Sequence, residues 1–418
     1  MSDELEFRSP RPGEAGPFFT PVLQSFGDQP SRADIDQNRS VWEPERCHGA
    51  LDGDRWVGVS GAFSLEVTLP GGASVPFSGI TMIGVAPTHR RRGVLTTMMQ
   101  WLLDDAEQRG EAAAMLTASE SSIYGRYGFG VAAQAASHEI EVDRAAFRDH
   151  LDVPGSFTLL PLADALDVVH GLWERCRAGR VGEVSRQRSR WEDELLDREQ
   201  HRHGLSALFL VVHEGPDGPD GFATYRQRNI WGTETHRLPE TRVVLDTLCG
   251  TTRDVEAALW QYLASIDLVR EVEMPVRPVD DPIRWRLVEP RRLKVTSISD
   301  WLWARLLDVA AALAARSYSA PGALVLDVVD PFRPSAAGRF RLEAGGASEG
   351  DGASCTPAPE ASPDLTLGAE ELGALWLGGV APSVLAAAGR VDEHTPGALA
   401  LADRMFPVHP GPFCNTMF

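Results

Sequence analysis

Cysteine is scarce in this chain of 418 residues, and its few occurrences lie far apart. No two cysteines form a C-x-x-C pair, and the eleven histidines, which include His201 and His203, form no ligand cluster with them. We therefore expect neither a disulfide framework nor a metal site. The five cysteines are Cys47, Cys176, Cys249, Cys355 and Cys414.

The sequence also lacks the features of an exported or membrane-spanning chain. Its first residues, Met1–Leu5, are acidic and contain no apolar signal core. No apolar run is long enough to cross a bilayer. Together with the low cysteine content, these absences predict a soluble, reduced protein of the cytoplasm that binds no membrane.

Positive charge is the minority: 40 Lys and Arg stand against 59 Asp and Glu, which gives a net charge of −19. This balance argues against nucleic acid as a partner, because its phosphates would be repelled. It favours a small cationic amine as the substrate, although acidity that serves only solubility is the alternative. The length and the 43% hydrophobic content predict two or three domains with real cores.

The most informative segment is V-A-P-T-H-R-R-R-G-V-L, residues 85–95. It follows the apolar stretch Ile80–Val85 and opens a helical pattern over Val94–Gln108. The N–H groups of a first helical turn have no intrahelical partner and carry partial positive charge, so this order predicts a phosphate cradle. Arginines add charge that does not titrate near neutrality. A solvated basic turn is the alternative interpretation.

A second segment, residues 118–130, reads A-S-E-S-S-I-Y-G-R-Y-G-F-G and follows a predicted buried strand. It predicts a short helical turn that holds Tyr124, then a glycine-rich break and a new strand. A thiolate leaving group, with a thiol pKa of about 8.5 or above, benefits from a nearby O–H donor, which a phenol supplies. Each tyrosine of the segment could instead be an amphipathic core residue with a solvated hydroxyl.

These two segments carry a family resemblance. Arg90-x-x-Gly93-x-Leu95 resembles the R/Q-x-x-G-x-G/A acyl-CoA loop of the GCN5-related N-acetyltransferases, with Leu95 where that superfamily usually has Gly or Ala. Within it, V-A-P-T-H-R-R-R-G and A-S-E-x-x-I-Y-G-R-x-G resemble the Eis (enhanced intracellular survival) family of aminoglycoside N-acetyltransferases. The resemblance is strongest over residues 80–130, while the length and overall order agree along the chain.

The resemblance implies an α+β chain with two tandem acetyltransferase-like domains followed by a sterol-carrier-like domain, assembled as a homohexamer. It implies acetyl-CoA as the co-substrate and no metal. Tyr124, just before a G-x-x-G-F element, is then the acid that protonates the departing CoA thiolate, with Tyr127 as the fallback. The terminal carboxylate of an aromatic last residue, here Phe418, is expected to reach the active site.

The expected binding residues follow from the same segments. The pantetheine arm pairs with the backbone around Ile83 to Val85, the pyrophosphate binds at Arg90 to Thr96, and two polar residues flank the pantetheine. Aromatic walls and an anion suit an amino sugar, which gives three substrate-pocket candidates near the N-terminus, although each could equally be ordinary packing or surface. The cofactor residues are Ile83, Gly84, Val85, Arg90, Arg91, Arg92, Gly93, Val94, Leu95, Thr96, Ser119 and Glu120, and the substrate residues are Phe26, Asp28 and Trp42.

Residues 1–148 are expected to form the acetyl-CoA-binding domain. Arg55 to Leu69 and Ser74 to Val85 are predicted strands around the turn Pro70–Gly72. In the helix that follows, Leu95, Met98, Leu102 and Ala106 share one face and are expected to pack in the core.

Residues 149–300 repeat the strand-then-helix order, with a helix over Thr251 to Ile266 that Thr252 is expected to cap. The basic glycine loop is missing, so we expect a degenerate acetyltransferase-like domain that binds no CoA. It would wall one side of the substrate cleft.

Residues 301–418 are the sterol-carrier-like domain with the catalytic C-terminus. We expect a helix over Trp301 to Arg316 and a loop over Gly345 to Pro363. A structural role is favoured over a lipid tunnel, because fold does not carry function.

The predicted mechanism is direct transfer, since nothing in the sequence marks a cysteine nucleophile. The attacking amine must lose a proton, and the candidate base is the α-carboxylate of Phe418. A free α-carboxyl, with a pKa of about 3.5, is a poor base, but burial would raise that pKa. A frayed chain end is the alternative, which the apolar, proline-stiffened tail Phe406–Phe418 makes less favourable.

Three functions remain open at this point. The first is an N-acetyltransferase for the amines of aminoglycosides or similar polycations. The second is a protein-lysine or polyamine acetyltransferase. The third is an acyl-CoA or lipid-binding protein without turnover.

Overall fold

The computed structural model divides by its internal contacts into two compact units. Unit 1 comprises residues 1–133, 300–409 and 417–418, and unit 2 comprises residues 134–299 and 410–416. The residues that the structure describes are 5–27, 42–142, 145–148, 153–230, 240–345 and 352–418.

The N-terminal part of unit 1 is a sheet with helices. Its strands lie in the order β1-β2-β3-β4-β5-β12, in which β4 and β5 are parallel and the other pairs are antiparallel. The strands are β1 (Glu6–Arg8), β2 (Cys47–Asp52), β3 (Arg55–Thr68), β4 (Ser74–Val85), β5 (Ala113–Thr117) and the second half of β12 (Leu293–Leu306). The helices are α1 (Ala15–Ser25), α2 (Val94–Gln108) and α3 (Ser121–Tyr124).

Two central strands of this sheet and the helix that follows them were predictable because their local signals agree. Strands β3 and β4 and helix α2 lie where the sequence predicts them. On α2, Met98, Leu102 and Ala106 are fully buried, whereas Leu95 at the start of the helix is half-buried. This apolar face anchors α2 on the sheet and thereby fixes the position of its first turn.

The C-terminal part of unit 1 contains a second sheet, in the order β15-β14-β13-β16-β17. Its strands are β13 (Gly322–Val329), β14 (Gly338–Ala344), β15 (Ala353–Pro357), β16 (Leu365–Gly368) and β17 (Val391–Glu393). The helices are α8 (Val309–Ala314), α9 (Ala369–Trp376), α10 (Pro382–Ala387) and α11 (Ala398–Met405).

Two predictions for this region were wrong. The segment up to Leu306 belongs to strand β12, and only Val309–Ala314 is helical. Residues 302–306 are buried and pair with β5, and such a short apolar run is compatible with either element. The expected loop after Gly345 also contains strand β15, which pairs with β14.

Unit 2 repeats the strand-helix-strand order around its own core. The sheet order is β6-β11-β10-β9-β8-β7, with β10 and β11 parallel on either side of helix α6. The strands are β6 (Gly130–Glu141, which begins in unit 1), β7 (Ser156–Leu159), β8 (Phe209–Gly215), β9 (Gly218–Arg228), β10 (Thr241–Gly250) and β11 (Val269–Arg277). The helices are α4 (Leu166–Arg177), α5 (Arg188–Leu195), α6 (Arg253–Ala264) and α7 (Ile283–Arg286).

Helix α6 begins as the sequence predicts. The Thr252 hydroxyl accepts a hydrogen bond from the Val255 N–H at 3.2 Å and so caps the helix.

Contrary to the expectation from the cysteine spacing, the protein contains a disulfide. Cys176 of α4 and Cys249 of β10 form a disulfide inside the unit 2 core. Their separation of 73 residues gave no signal, because only the tertiary fold brings them together. Cys47, Cys355 and Cys414 are free and buried. Among the described helices, none has the length and apolar character needed to cross a membrane.

Candidate active site

The site begins where two parallel strands of unit 1 separate. Strands β4 and β5 pair through Ser78 with Ala114 and through Gly79 with Met115, although β4 continues to Val85. The register of β4 against β3 shifts in this stretch, and Met82 has a positive φ of 53°. The end of β4 therefore diverges from β5 and leaves main-chain groups available to an extended ligand.

The predicted phosphate cradle lies at the end of β4. Gly93 precedes helix α2 with a φ of +80°, and no side chain among the described residues caps the helix. The Thr97 N–H donates to the Gly93 carbonyl at 3.0 Å, which is the first main-chain hydrogen bond of the helix. The N–H groups that precede Thr97 in this turn therefore lack intrahelical partners. Arg90 and Arg91 beside them are exposed, and Arg91 has a positive φ of 63°.

The buried His89 anchors the loop through two contacts of its imidazole ring. Its imidazole is buried, with Nδ1 at 2.8 Å from the Thr88 hydroxyl and Nε2 at 3.1 Å from the Asp52 carboxylate. These contacts fix the turn before the arginines. The first helical turn is thus held in an arrangement that suits an anion.

A cavity of about 490 Å³ joins the strand opening, the cradle and the tyrosine segment. Eleven of the twelve predicted cofactor residues line it together with Tyr124, while Arg92 is exposed and is not among them. These lining residues are Ile83, Gly84, Val85, Arg90, Arg91, Gly93, Val94, Leu95, Thr96, Ser119, Glu120 and Tyr124.

Tyr124 is buried and lies at the end of α3. Its ring packs edge-on against Phe129, with the ring centroids 6.3 Å apart. Burial raises the pKa of Tyr124, and a hydrogen bond with Ser119 opposes this shift. The phenol therefore stays protonated at neutral pH and can act as a proton donor on the cavity wall.

Tyr127 has a different environment. It is buried, its hydroxyl lies 3.2 Å from the Thr96 hydroxyl in the first turn of α2, and its ring contacts Phe332 at 5.0 Å. Its hydroxyl thus links the tyrosine segment to the cradle. Of the two phenols, Tyr127 is thus bonded to the cradle, whereas Tyr124 is hydrogen-bonded with Ser119.

Phe418 lies near the same strand opening. Its main-chain oxygen accepts a hydrogen bond from the Thr117 hydroxyl at 3.2 Å, where β5 ends. Its ring packs on the buried Phe77 of β4, with the centroids 5.8 Å apart. The last residue of the sequence is thereby attached to both diverging strands.

The three substrate-pocket candidates have different surroundings, and only Phe26 is among the described residues that line the cavity. Phe26 lines the cavity and is 63% exposed, so its ring is available to a ligand. Trp42 is half-buried and packs against the core cluster that contains Phe18 and Phe19, and its Nε1 donates to the Cys47 sulfur at 3.0 Å. Asp28 lies outside the described residues.

Arg126 lies in the site although it was not predicted as a site residue. It lines the cavity, its guanidinium lies 5.9 Å from the Tyr127 ring centroid, and it donates to the Ser122 carbonyl at 3.4 Å. The signal was available, because Arg126 stands two residues after Tyr124 in the Y-G-R-x-G motif.

The cysteines do not provide a nucleophile for this cavity. Burial raises the pKa of the Cys47 thiol to about 12 and that of the Cys355 thiol to about 11, and it raises the pKa of Cys414 well above its ordinary value. A cysteine nucleophile acts as its thiolate, which these environments disfavour. Cysteine is absent from the described lining of the cavity. Within the described ranges we find no cluster of His, Cys, Asp and Glu that could hold a metal ion.

Comparison with known families and proteins agrees with this architecture. Residues 6–132 and residues 182–306 each match an acetyltransferase (GNAT) domain, and residues 309–415 match a sterol carrier protein domain. The chain is therefore an α+β protein with two tandem acetyltransferase-like domains followed by a sterol-carrier-like domain.

Individual relatives cover almost the whole chain. An uncharacterised N-acetyltransferase of Streptomyces coelicolor is 41% identical over 95% of this chain and 96% of its own length. N-acetyltransferase Eis of Mycobacterium tuberculosis is 33% identical over 86% of this chain and 85% of its own. The crystal structure of Eis1 from Mycobacterium abscessus matches with a TM-score of 0.86 at 32% identity and covers 99% of this chain and 100% of that one. The chain is an N-acetyltransferase and belongs to the Eis family of the GCN5-related superfamily.

Proposed function

We propose that this enzyme transfers the acetyl group of acetyl-CoA directly to amines of aminoglycosides or similar polycations. The observation that carries the proposal is the single cavity in which the uncapped first turn of α2, Arg90 and Arg91, and Tyr124 all face a common space. These groups suit acetyl-CoA, because its pyrophosphate can accept hydrogen bonds from the N–H groups of the first helical turn and can pair with the guanidinium groups. The diverging end of β4 offers main-chain groups to the pantetheine arm.

The proton transfers follow from two groups. Tyr124 donates its phenolic proton to the sulfur as the C–S bond breaks. The α-carboxylate of Phe418 accepts the proton that the amine loses as the new C–N bond forms. The bond from Thr117 and the packing on Phe77 hold Phe418 at the strand opening.

Direct transfer is supported by the cysteine environments, which leave no described thiol on the cavity wall and raise the pKa of each free thiol. It predicts that both substrates must be bound before reaction. Initial-rate plots should intersect rather than run parallel. Incubation with acetyl-CoA alone should leave the mass of the protein unchanged, and a stable acetyl-protein adduct would contradict direct transfer.

The substrate class is supported by the net charge of −19 and by the exposed aromatic wall at Phe26. The test compares a kanamycin-type aminoglycoside, a lysine peptide and spermidine in a thiol-release assay, with product masses measured in parallel. We expect the aminoglycoside to give the highest kcat/KM. A higher value for the peptide or for spermidine would refute the aminoglycoside assignment.

We also propose that the chain assembles as a homohexamer, as the family resemblance predicts. Light scattering after size exclusion should then give about six times the 45.5 kDa of one chain. A mass of one or two chains at micromolar concentration would contradict this.

A further inference from the structure

The segment that carries Tyr124 is packed against a part of unit 1 that the cavity does not include. We name residues 124–130 the tyrosine turn. Arg305, at the end of β12, donates a hydrogen bond to the Tyr127 carbonyl in this turn and forms an ion pair with Asp330. Arg305 is fully buried, and the side chain of Asp330 is 1% exposed.

The ion pair is itself fixed in place. Asp330 also accepts hydrogen bonds from the main chain of Phe332 at 3.1 Å and of Arg333 at 2.9 Å. The ring of Phe332 lies between Arg305 and Tyr127. Its centroid is 5.8 Å from the Arg305 guanidinium, and it packs edge-on against the Tyr127 ring. Burial lowers the pKa of Arg305, and Asp330 opposes this effect, so the guanidinium depends on its carboxylate partner.

The tyrosine turn has no spare room on this side. Gly128 has a φ of +80°, and a Cβ at this position would overlap the Arg305 guanidinium and lie 3.1 Å from the Ala369 Cβ. A Cβ on Gly130 would overlap the Glu370 carbonyl of helix α9. The shape of the turn is therefore set by Arg305 and by helix α9 together.

We propose that Arg305, held by Asp330, is a positioning residue that aims Tyr124 at the reacting sulfur. Asp330 and helix α9 belong to the sterol-carrier-like domain, so one function of that domain is to set the geometry of the acid. This inference rests on the proposed role of Tyr124. Arg305 has no hydrogen bond to the described residues of the phosphate cradle, and it holds Tyr127 by the main-chain carbonyl, whereas the Tyr127 hydroxyl makes the bond to Thr96. We therefore expect its loss to lower kcat more than it weakens acetyl-CoA binding.

The first test is Arg305→Lys in two backgrounds. Lysine keeps the charge for Asp330 but lacks the planar fork that serves Asp330 and the Tyr127 carbonyl together. In the otherwise native enzyme we expect kcat to fall about tenfold, while calorimetry shows the Kd for acetyl-CoA within about twofold. In a Tyr124→Phe enzyme the same substitution should lower kcat by less than about twofold, because no acid remains to be positioned.

The outcomes of this cycle are distinct. An equal loss of kcat in both backgrounds would assign Arg305 a structural role and overturn the proposal. A loss of acetyl-CoA binding would do the same. If Tyr124→Phe alone leaves kcat unchanged, the acid assignment fails first, which separates that failure from a failure of the positioning inference.

A second test keeps the proposal open to refutation if Arg305→Lys does not fold. Gly128→Ala introduces a methyl group at the guanidinium, and Gly110→Ala is the matched control, because Gly110 has a φ of +75° with nothing within 4 Å of a Cβ. Both variants place alanine at a similar positive φ. We expect kcat to fall at least tenfold in Gly128→Ala only, with acetyl-CoA binding retained. Equal kcat in the two variants would overturn the proposal.

Discussion

Removal of the Tyr124 hydroxyl is the most direct test of the chemistry. Tyr124→Phe keeps the ring, which packs on Phe129, and deletes only the donor. The surrounding core should therefore survive, and the change isolates one proton transfer. Any loss of kcat then reports on the acid and not on the fold.

The magnitude follows from the environment of the phenol. General acid catalysis contributes about 10²- to 10⁴-fold. Burial raises the pKa of Tyr124, which keeps the group protonated but makes it a weaker acid. We therefore expect the lower end of the range, a fall in kcat of about 100-fold, which corresponds to about 2.7 kcal/mol in the activation barrier.

The assay is thiol release at saturating acetyl-CoA and amine, with calorimetry of acetyl-CoA binding on the same preparations. Tyr127→Phe is the matched control. It also removes one hydroxyl from a buried tyrosine, but this hydroxyl bonds Thr96 and is not the proposed acid. We therefore expect a kcat within about threefold of the native value. If Tyr124→Phe stays within twofold of native, or if both variants lose kcat equally, the assignment of Tyr124 as the acid is refuted.

Three further changes probe the cradle, the tail and the core. Arg90→Gln should raise the Kd for acetyl-CoA about tenfold by calorimetry with kcat at saturation nearly unchanged, and an unchanged Kd would place the phosphates elsewhere. Thr117→Val removes the donor to Phe418 and should lower kcat about fivefold in the thiol-release assay, whereas full activity would make that contact incidental. Glu111→Gln leaves the buried Arg46 guanidinium without its closest carboxylate, so urea unfolding should show a loss of about 3 kcal/mol, and a loss below about 1 kcal/mol would contradict this.

A large part of the cavity lining could be predicted from the sequence because residues 83–96 follow one another in the chain. A strand, a turn and a helix that follow one another must lie side by side. The motif of residues 85–95 thus brings its own backbone N–H groups and arginines together. The helix Val94–Gln108 was predictable for the same reason, since its apolar spacing and Gly110 mark its face and its end.

Predictions failed where the decisive partner is distant. Residues 302–306 form a strand because β5 pairs with them, and their tryptophan and two leucines are equally suited to a buried helix. Cys176 and Cys249 meet through the sheet of unit 2, which no spacing rule anticipates.

The glycines of the tyrosine turn show how a local motif can carry a non-local constraint. In the sequence, Gly128 indicates only a break after a short helical turn. In the structure, the space that a side chain would need is taken by Arg305, whose contact with the turn joins residues separated by 178 positions. A residue that performs proton transfer can be recognised from its own neighbourhood, because the chemistry needs a particular side chain. A residue that only positions the catalytic side chain can be of any type that fits the available space and bonds to its neighbours. Its identity therefore depends on the tertiary packing and is recognised from the fold.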